Sequence, residues 1–315
     1  MEHGSDFSIS SYLQDQMCFM GQQQVFDEAS ESFLRLLGIE VSDKQIERVC
    51  HHYGEKLEEK QRNDISTGAN EGKPNDRQSY YVMLDGGMIL TREEKWKEMK
   101  LARIFDVRDK SPISKDRNYI GKSTYVAHLG GHKDFLEKTE YHLDTKGELI
   151  FIADGAKWIW KWVEAKYPES TQVLDFYHAS QHLFQWAEIA IKNSKNRQRW
   201  IDAQILLLLG DRVKDVISKI KKMKTSSEIQ KKEKHALVEY YTVNQNRMLY
   251  KTAKEKGLLI GSGPIEAAHR HVIQQRMKLS GQRWTIKGAQ QVANLRVSFK
   301  SNSWKEVVEL TKNAA

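Results

Sequence analysis

Cysteine is nearly absent: only Cys18 and Cys50 occur in 315 residues. Two thiols exclude a disulfide scaffold and a four-cysteine zinc site built by this chain alone, and they fit a reducing interior. Long apolar runs are missing too. No stretch approaches the ~20 residues of a membrane-spanning helix, and the opening MEHGSDFSIS lacks the charged-then-apolar pattern of a secretory leader. The sequence therefore predicts no membrane partner and a cytoplasmic location. No internal repeat is apparent.

What is abundant is positive charge, unevenly placed. The formal net charge is +8, yet residues 1–78 carry −7 and 79–191 carry −1, while 192–256 carry +10 and 257–315 carry +6. A basic excess confined to the C-terminal part is the footprint expected of a segment that meets a polyanion, nucleic acid first among them. The Lys-rich stretch KIKKMKTSSEIQKKEK (219–234) also reads, taken alone, as a solvated helical surface.

Apolar spacing divides the chain. Residues 1–78 read as a helical region with a polar linker at 62–78. FDEASESFLRLLG (26–38) is a helix ending at Gly38, and the next helix restarts after Ser42 as its N-cap, a pair with helix-turn-helix proportions. Residues 79–195 change texture. YYVMLDGGMIL (80–90), WKEMKLARIFDV (96–107) and TYVAHL (124–129) read as strands, HKDFLEKTEYHL (132–143) as a helix, and ELIFIADGA (148–156) as a buried strand. KWIWKWVEAKY (157–167) reads as a helix and TQVLDFYH (171–178) as another buried strand running into a helix. Residues 196–256 are helical and basic, an insertion before the mixed α/β pattern resumes over 257–315.

Three acids sit where a mixed sheet presents side chains at one edge: Asp85 on the first strand, Asp154 at a strand end and Glu266 near a helix start. Each has an ordinary role open to it, as a turn residue, a helix cap and a partner of the helix dipole. Together they have another meaning. Hard oxygen ligands from distant chain positions are what two Mg²⁺ or Mn²⁺ ions need to hold the attacking and leaving oxygens of an in-line phosphoryl displacement. On that reading Arg270, Arg276, Lys278 and Arg283, which follow Glu266, contact phosphates. Trp284 either stacks on an unpaired base or packs in a core. Asp175 and His178 form a smaller pair at a strand-to-helix junction, placed beside the acids as phosphate-positioning groups or as a satisfied helix start.

VMLDGGMI, IADGAKWIW, DFYH, RMLY (247–250) followed by IGSGPIEAA, and RMKLSGQRW together resemble the bacterial insertion-sequence transposases of the Kra type, relatives of the Mutator-like DDE transposases. The resemblance runs from about residue 10 to Trp304, and the run from GSGPIE to SGQRW is its most specific part. It implies an α/β fold: an RNase H-like mixed-sheet catalytic domain interrupted by an all-helical insertion, with a helical N-terminal region. It also implies Asp85, Asp154 and Glu266 as the catalytic, metal-binding triad, with two Mg²⁺ or Mn²⁺ ions. The partners would be transposon terminal inverted repeats and target DNA, engaged by a homodimer or higher oligomer, so that the cytoplasmic protein is found at the nucleoid when bound. Asp175 and His178 match a position that is usually Cys-x-x-His in the wider Mutator and hAT group. Longer relatives carry a Cys-rich segment ahead of the helical region that has no counterpart in this sequence. The alternatives are a general Mg²⁺-dependent RNase H-like nuclease and a transposase-derived DNA-binding protein without catalysis.

Overall fold

The computed structural model describes residues 7–67, 78–114, 117–143 and 147–313. Helices α1 (Ser11–Gln23), α2 (Phe26–Leu37) and α3 (Asp43–Thr67) open the chain. α2 stops at Gly38, whose φ of 67° is a left-handed conformation that glycine adopts without a Cβ clash. α3 starts where Ser42 Oγ accepts the Gln45 N–H at 3.2 Å. The helix then continues to Thr67, so residues 62–67 are not linker. The remainder of that expected linker, residues 68–77, lies outside the described residues.

Strands β1 (Ser79–Thr91) and β2 (Lys95–Asp106) follow. Residues 92–94 connect these neighbours directly, which obliges an antiparallel hairpin. β3 (Lys110–Ser114) and β4 (Arg117–Ile120) pair as a separate antiparallel ribbon that the sequence reading missed. After β5 (Thr124–Leu129) and α4 (His132–Tyr141) come β6 (Glu148–Ala153), α5 (Lys157–Lys166) and β7 (Thr171–Leu174). The main sheet has the order β5-β2-β1-β6-β7. β5 runs antiparallel to β2, from Met99 opposite Leu129 to Ile104 opposite Thr124, whereas β6 and β7 are parallel, from Ile150 opposite Thr171 to Ala153 opposite Leu174. The class is thus α/β with a mixed sheet.

The remaining described elements are helical: α6 (Phe176–Ala190), α7 (Ser194–Leu208), α8 (Val213–Lys222), α9 (Glu228–Asn244), α10 (Tyr250–Glu255) and α11 (Gly263–Ala268). α11 runs on as a π-helical stretch, His269–Gln274, into α12 (Gln275–Met277), and α13 (Ile286–Lys300) and α14 (Lys305–Asn313) complete the order. No helix among the described residues is long and apolar enough to cross a membrane.

Two compact units result. The first comprises Met1–Tyr80, Leu84–Gly147 and Ile265–Ala315, and the second Tyr81–Met83 and Glu148–Pro264. In the first, Met17, Phe33, Ile46, Tyr53, Leu295 and Val307 share one core, so α1–α3 close on α13 and α14. A Cβ at Gly54 would stand 2.3 Å from the Gln291 carbonyl oxygen, so only glycine permits this approach of α3 to α13. Asn294 Nδ2 donates to the Gly54 carbonyl there at 2.9 Å. α13 also covers β5. Gln290 accepts the Leu129 N–H at 2.7 Å and donates to the Ala127 carbonyl at 3.1 Å, satisfying backbone groups on an end strand. Cys18 and Cys50 are buried free thiols in this unit.

In the second unit, Arg247 of the RMLY motif fastens the basic helices to the strands. Its guanidinium lies 4.5 Å from the Trp160 ring centroid, donates to Gln172 Oε1 and Asn244 Oδ1 at 2.9 Å each, and pairs with Glu164. The units therefore cut the chain differently from the sequence boundaries at 78, 195 and 256. The N-terminal helices need α13 and α14 to bury their apolar faces, and the insertion is anchored by the buried Arg247.

Candidate active site

Asp85 lies within β1 and not in a turn. The two glycines that follow it make room for side chains. A Cβ at Gly86 would meet the Glu98 carboxylate at 2.1 Å, and one at Gly87 would meet His269 Nδ1 at 3.0 Å. Because successive residues of a strand face opposite sides, Asp85 and Gly87 share the face that His269 covers. Asp85 Oδ1 accepts the Gly86 N–H at 2.8 Å. Its Oδ2 stands 3.7 Å from His269 Nε2, and the imidazole is only 4% exposed. On the other face Glu98 pairs with the buried Lys100, whose Nζ also donates to the Gly130 carbonyl at 2.7 Å.

Glu266 is exposed in the first turn of α11, with Pro264 just inside the helix start. His269 follows at i+3, so the carboxylate and the imidazole emerge on one side of the helix. The π-helical stretch begins at His269 itself; such local widening of a helix recurs at functional sites.

In the second unit Asp154 follows the last residue of β6. Its Oδ1 accepts the Ala156 N–H at 2.9 Å and its carbonyl accepts the Trp160 indole N–H at 2.7 Å, which fixes the strand-to-helix turn. Gly155 is obligatory in this packing, since a Cβ there would come within 2.1 Å of the Tyr240 ring. Tyr240 comes from α9, so the basic insertion supplies a wall at Asp154. Its ring centroid is 4.5 Å from that of His182, and its buried hydroxyl has no hydrogen-bond partner. Burial, and secondarily the Asp154 and Asp175 carboxylates, push the Tyr240 phenol above its ordinary range. Burial and the neighbouring His178 push His182 down, against the pull of Asp154.

Asp175 takes the second of the two roles the sequence left open, that of a helix start. β7 ends at Leu174, and Asp175 is the buried N-cap of α6. Its Oδ1 accepts the N–H groups of Tyr177 at 2.7 Å and His178 at 3.3 Å. Its Oδ2 accepts the Ser262 N–H at 3.2 Å and the Ser262 hydroxyl. With four donors on it, the carboxylate joins the GSGP turn to the start of α6. His178 is exposed on that helix.

Of the cations after Glu266, Arg270, Lys278 and Arg283 are exposed. Arg276 corrects the expectation of DNA contact, and Trp284 takes the core alternative over base stacking. Arg276 is 1% exposed and Trp284 6%, and Trp284 is held by its indole N–H donating to the Met277 carbonyl at 3.0 Å and by a bridge to Thr91. Burial pushes the Arg276 guanidinium down to about 10.

The structure thus brings Asp85 and His269 together in one unit, and Asp154, Tyr240, His178 and His182 into one neighbourhood in the other. His269, Tyr240 and His182 were missed by the sequence reading. The advance signal was the glycines that follow Asp85 and Asp154, which mark close approach as well as a turn. The carboxylate oxygens of Asp85, Asp154 and Glu266 suit a hard divalent cation, and both ring nitrogens of the buried His269 beside Asp85 are without a hydrogen-bond partner. Among the described residues no group of three or more His, Cys, Asp and Glu side chains is gathered as a metal cluster. Comparison with protein-family models and with curated protein sequences returns no match to this chain.

Proposed function

We propose that this protein is a DNA transposase of the DDE type, with Asp85, Asp154 and Glu266 as its metal-binding acids on an RNase H-like scaffold. The observation that carries the reading is the placement of the acids. Asp85 lies within β1 and Asp154 directly follows β6, neighbouring strands in the order of a mixed sheet. Glu266 lies at the start of a helix that also carries a buried histidine. Structural carboxylates are normally consumed by caps and ion pairs, as Asp175 is. Of Asp154, by contrast, the backbone takes one side-chain oxygen.

The carboxylates of Asp85, Asp154 and Glu266 would hold two Mg²⁺ or Mn²⁺ ions, which when bound stabilise charge on the attacking and leaving oxygens. Asp85 and Asp154 are each aimed by a backbone N–H on Oδ1, so the carboxylates are oriented before DNA arrives. In the first step water adds across a phosphodiester at the element's end, and the departing 3′ oxygen takes a proton to become a free 3′-OH. In the second that hydroxyl attacks a target phosphodiester, one P–O bond forming as another breaks. Arg270, Lys278, Arg283 and the exposed lysines of α7–α9 would hold the backbone.

The test incubates the purified protein with linear DNA carrying the sequences that flank its coding region, plus Mg²⁺ or Mn²⁺. Expected are a 3′-OH cut at the element's end and joined products, both lost in Asp85→Asn, Asp154→Asn and Glu266→Gln with DNA binding retained. Cutting without end specificity or joining would identify a general nuclease. Binding without cleavage by the wild type would identify a DNA-binding protein.

A further inference from the structure

His269 is a buried polar side chain with no structural employment. Its imidazole is 4% exposed, and neither ring nitrogen has a hydrogen-bond partner. A buried polar atom left in that state costs about 1–3 kcal/mol, so a ring that carries two needs a reason. Packing alone does not supply one, because a phenyl ring would fill the same space without the cost. The surroundings are specific. Nε2 faces Asp85 Oδ2 at 3.7 Å, and Gly87 is flat beneath Nδ1, where any Cβ would intrude to 3.0 Å. The other oxygen of Asp85 is already held by the Gly86 N–H at 2.8 Å. The ring sits at the junction of α11 with the π-helical stretch, a local geometry frequent at functional sites.

We propose that His269 is a positioning residue for Asp85: its Nε2–H donates to Oδ2 when the carboxylate takes up a divalent cation, fixing the direction in which the remaining lone pairs point. The inference rests on the metal site proposed above and deepens it. A shift of less than 1 Å brings the pair to the ~2.9 Å of a nitrogen-to-oxygen hydrogen bond. Hard Mg²⁺ seldom takes imidazole itself, whereas groups that orient a liganding carboxylate are worth about 10–100-fold in metal affinity.

The experiment measures Mn²⁺ binding calorimetrically to the full chain, with a melting curve recorded without metal. Asp85→Asn should abolish binding. His269→Phe, which keeps the ring's bulk, should weaken binding at least 10-fold without lowering the metal-free Tm, and His269→Gln, which restores an N–H donor, should return it to within about 3-fold of wild type. Wild-type affinity in His269→Phe would overturn the inference and leave the proposed function standing. Equal losses in Phe and Gln would overturn it by making the imidazole a direct ligand. A wild type that binds no Mn²⁺, or an Asp85→Asn that binds normally, would overturn the metal site and this inference with it. Should His269→Phe fail to fold, Gly87→Ala tests the contact from the strand: its methyl displaces the ring, and unchanged Mn²⁺ affinity would again overturn the inference.

Discussion

Arg276 is stacked on Trp284, its guanidinium carbon 5.0 Å from the indole centroid. Phe26 closes the other side at 4.8 Å, and Nε donates to the Gly21 carbonyl at 3.0 Å. The cation thus ties the last turn of α1 and the start of α2 to the segment after α12. Losing one desolvated cation–π sandwich and one charged hydrogen bond should cost Arg276→Ala about 3 kcal/mol. Arg276→Lys should recover less than half, because an ammonium cannot stack on both rings. Denaturant midpoints check this; unchanged stability with a lower salt dependence of DNA binding would return Arg276 to the DNA surface.

DNA affinity should depend instead on the exposed cations. Each of Arg270, Lys278 and Arg283 that touches a phosphate contributes about 0.9 to the slope of log affinity against log salt. Replacing all three by alanine should lower the slope by 2–3 units at near-native stability. A full wild-type slope in the triple variant would exclude this surface.

Asp175→Ala should destabilise the protein by about 3 kcal/mol, combining a lost N-cap with the loss of the carboxylate that accepts from Ser262. Asp175→Asn, which keeps one acceptor oxygen, should lose about half as much. A urea midpoint separates the two. An Asp175→Ala variant that melts normally but cannot cleave DNA would place the carboxylate in the chemistry after all.

Two histidines of the first unit make folding acid-sensitive. Burial pushes His142 down to about 4, and burial with the nearby Lys138 cation does the same to His128. In the unfolded chain both titrate near ~6.5, so between those values the unfolded state binds more protons. Stability is complete above pH 6.5 and falls as pH drops toward 4, by on the order of 2 kcal/mol per histidine. Denaturation at pH 7, 5.5 and 4.5 should show the decline, and His142→Gln should flatten it.

The sequence was a good guide wherever one residue's local chemistry decides. Gly38 ended α2, Ser42 capped α3, and the apolar run before Asp154 was the parallel strand β6. It misled where a local pattern had two uses. The aromatic DFYH prolonged β7 because Phe and Tyr favour strands, yet Asp175 ends the strand by capping the helix. Charge suggested exposure for Arg276, and nothing local reveals that Phe26, distant in the chain, joins Trp284 in enclosing it. Asp85-Gly86-Gly87 permitted a turn, whereas the glycines give way to Glu98 and His269 in mid-strand. Contacts that depend on which distant side chain arrives have no periodicity to read.

The burial of α13 against α3 and β5 sets an order of events on the ribosome. Domains fold as they emerge, but α1–α3 and β5 are made long before Ile286–Lys300, the helix that seals their apolar faces. Meanwhile Glu148–Pro264 can close almost wholly on itself. The early segments must therefore wait with apolar surface uncovered until Ile286–Lys300 has emerged.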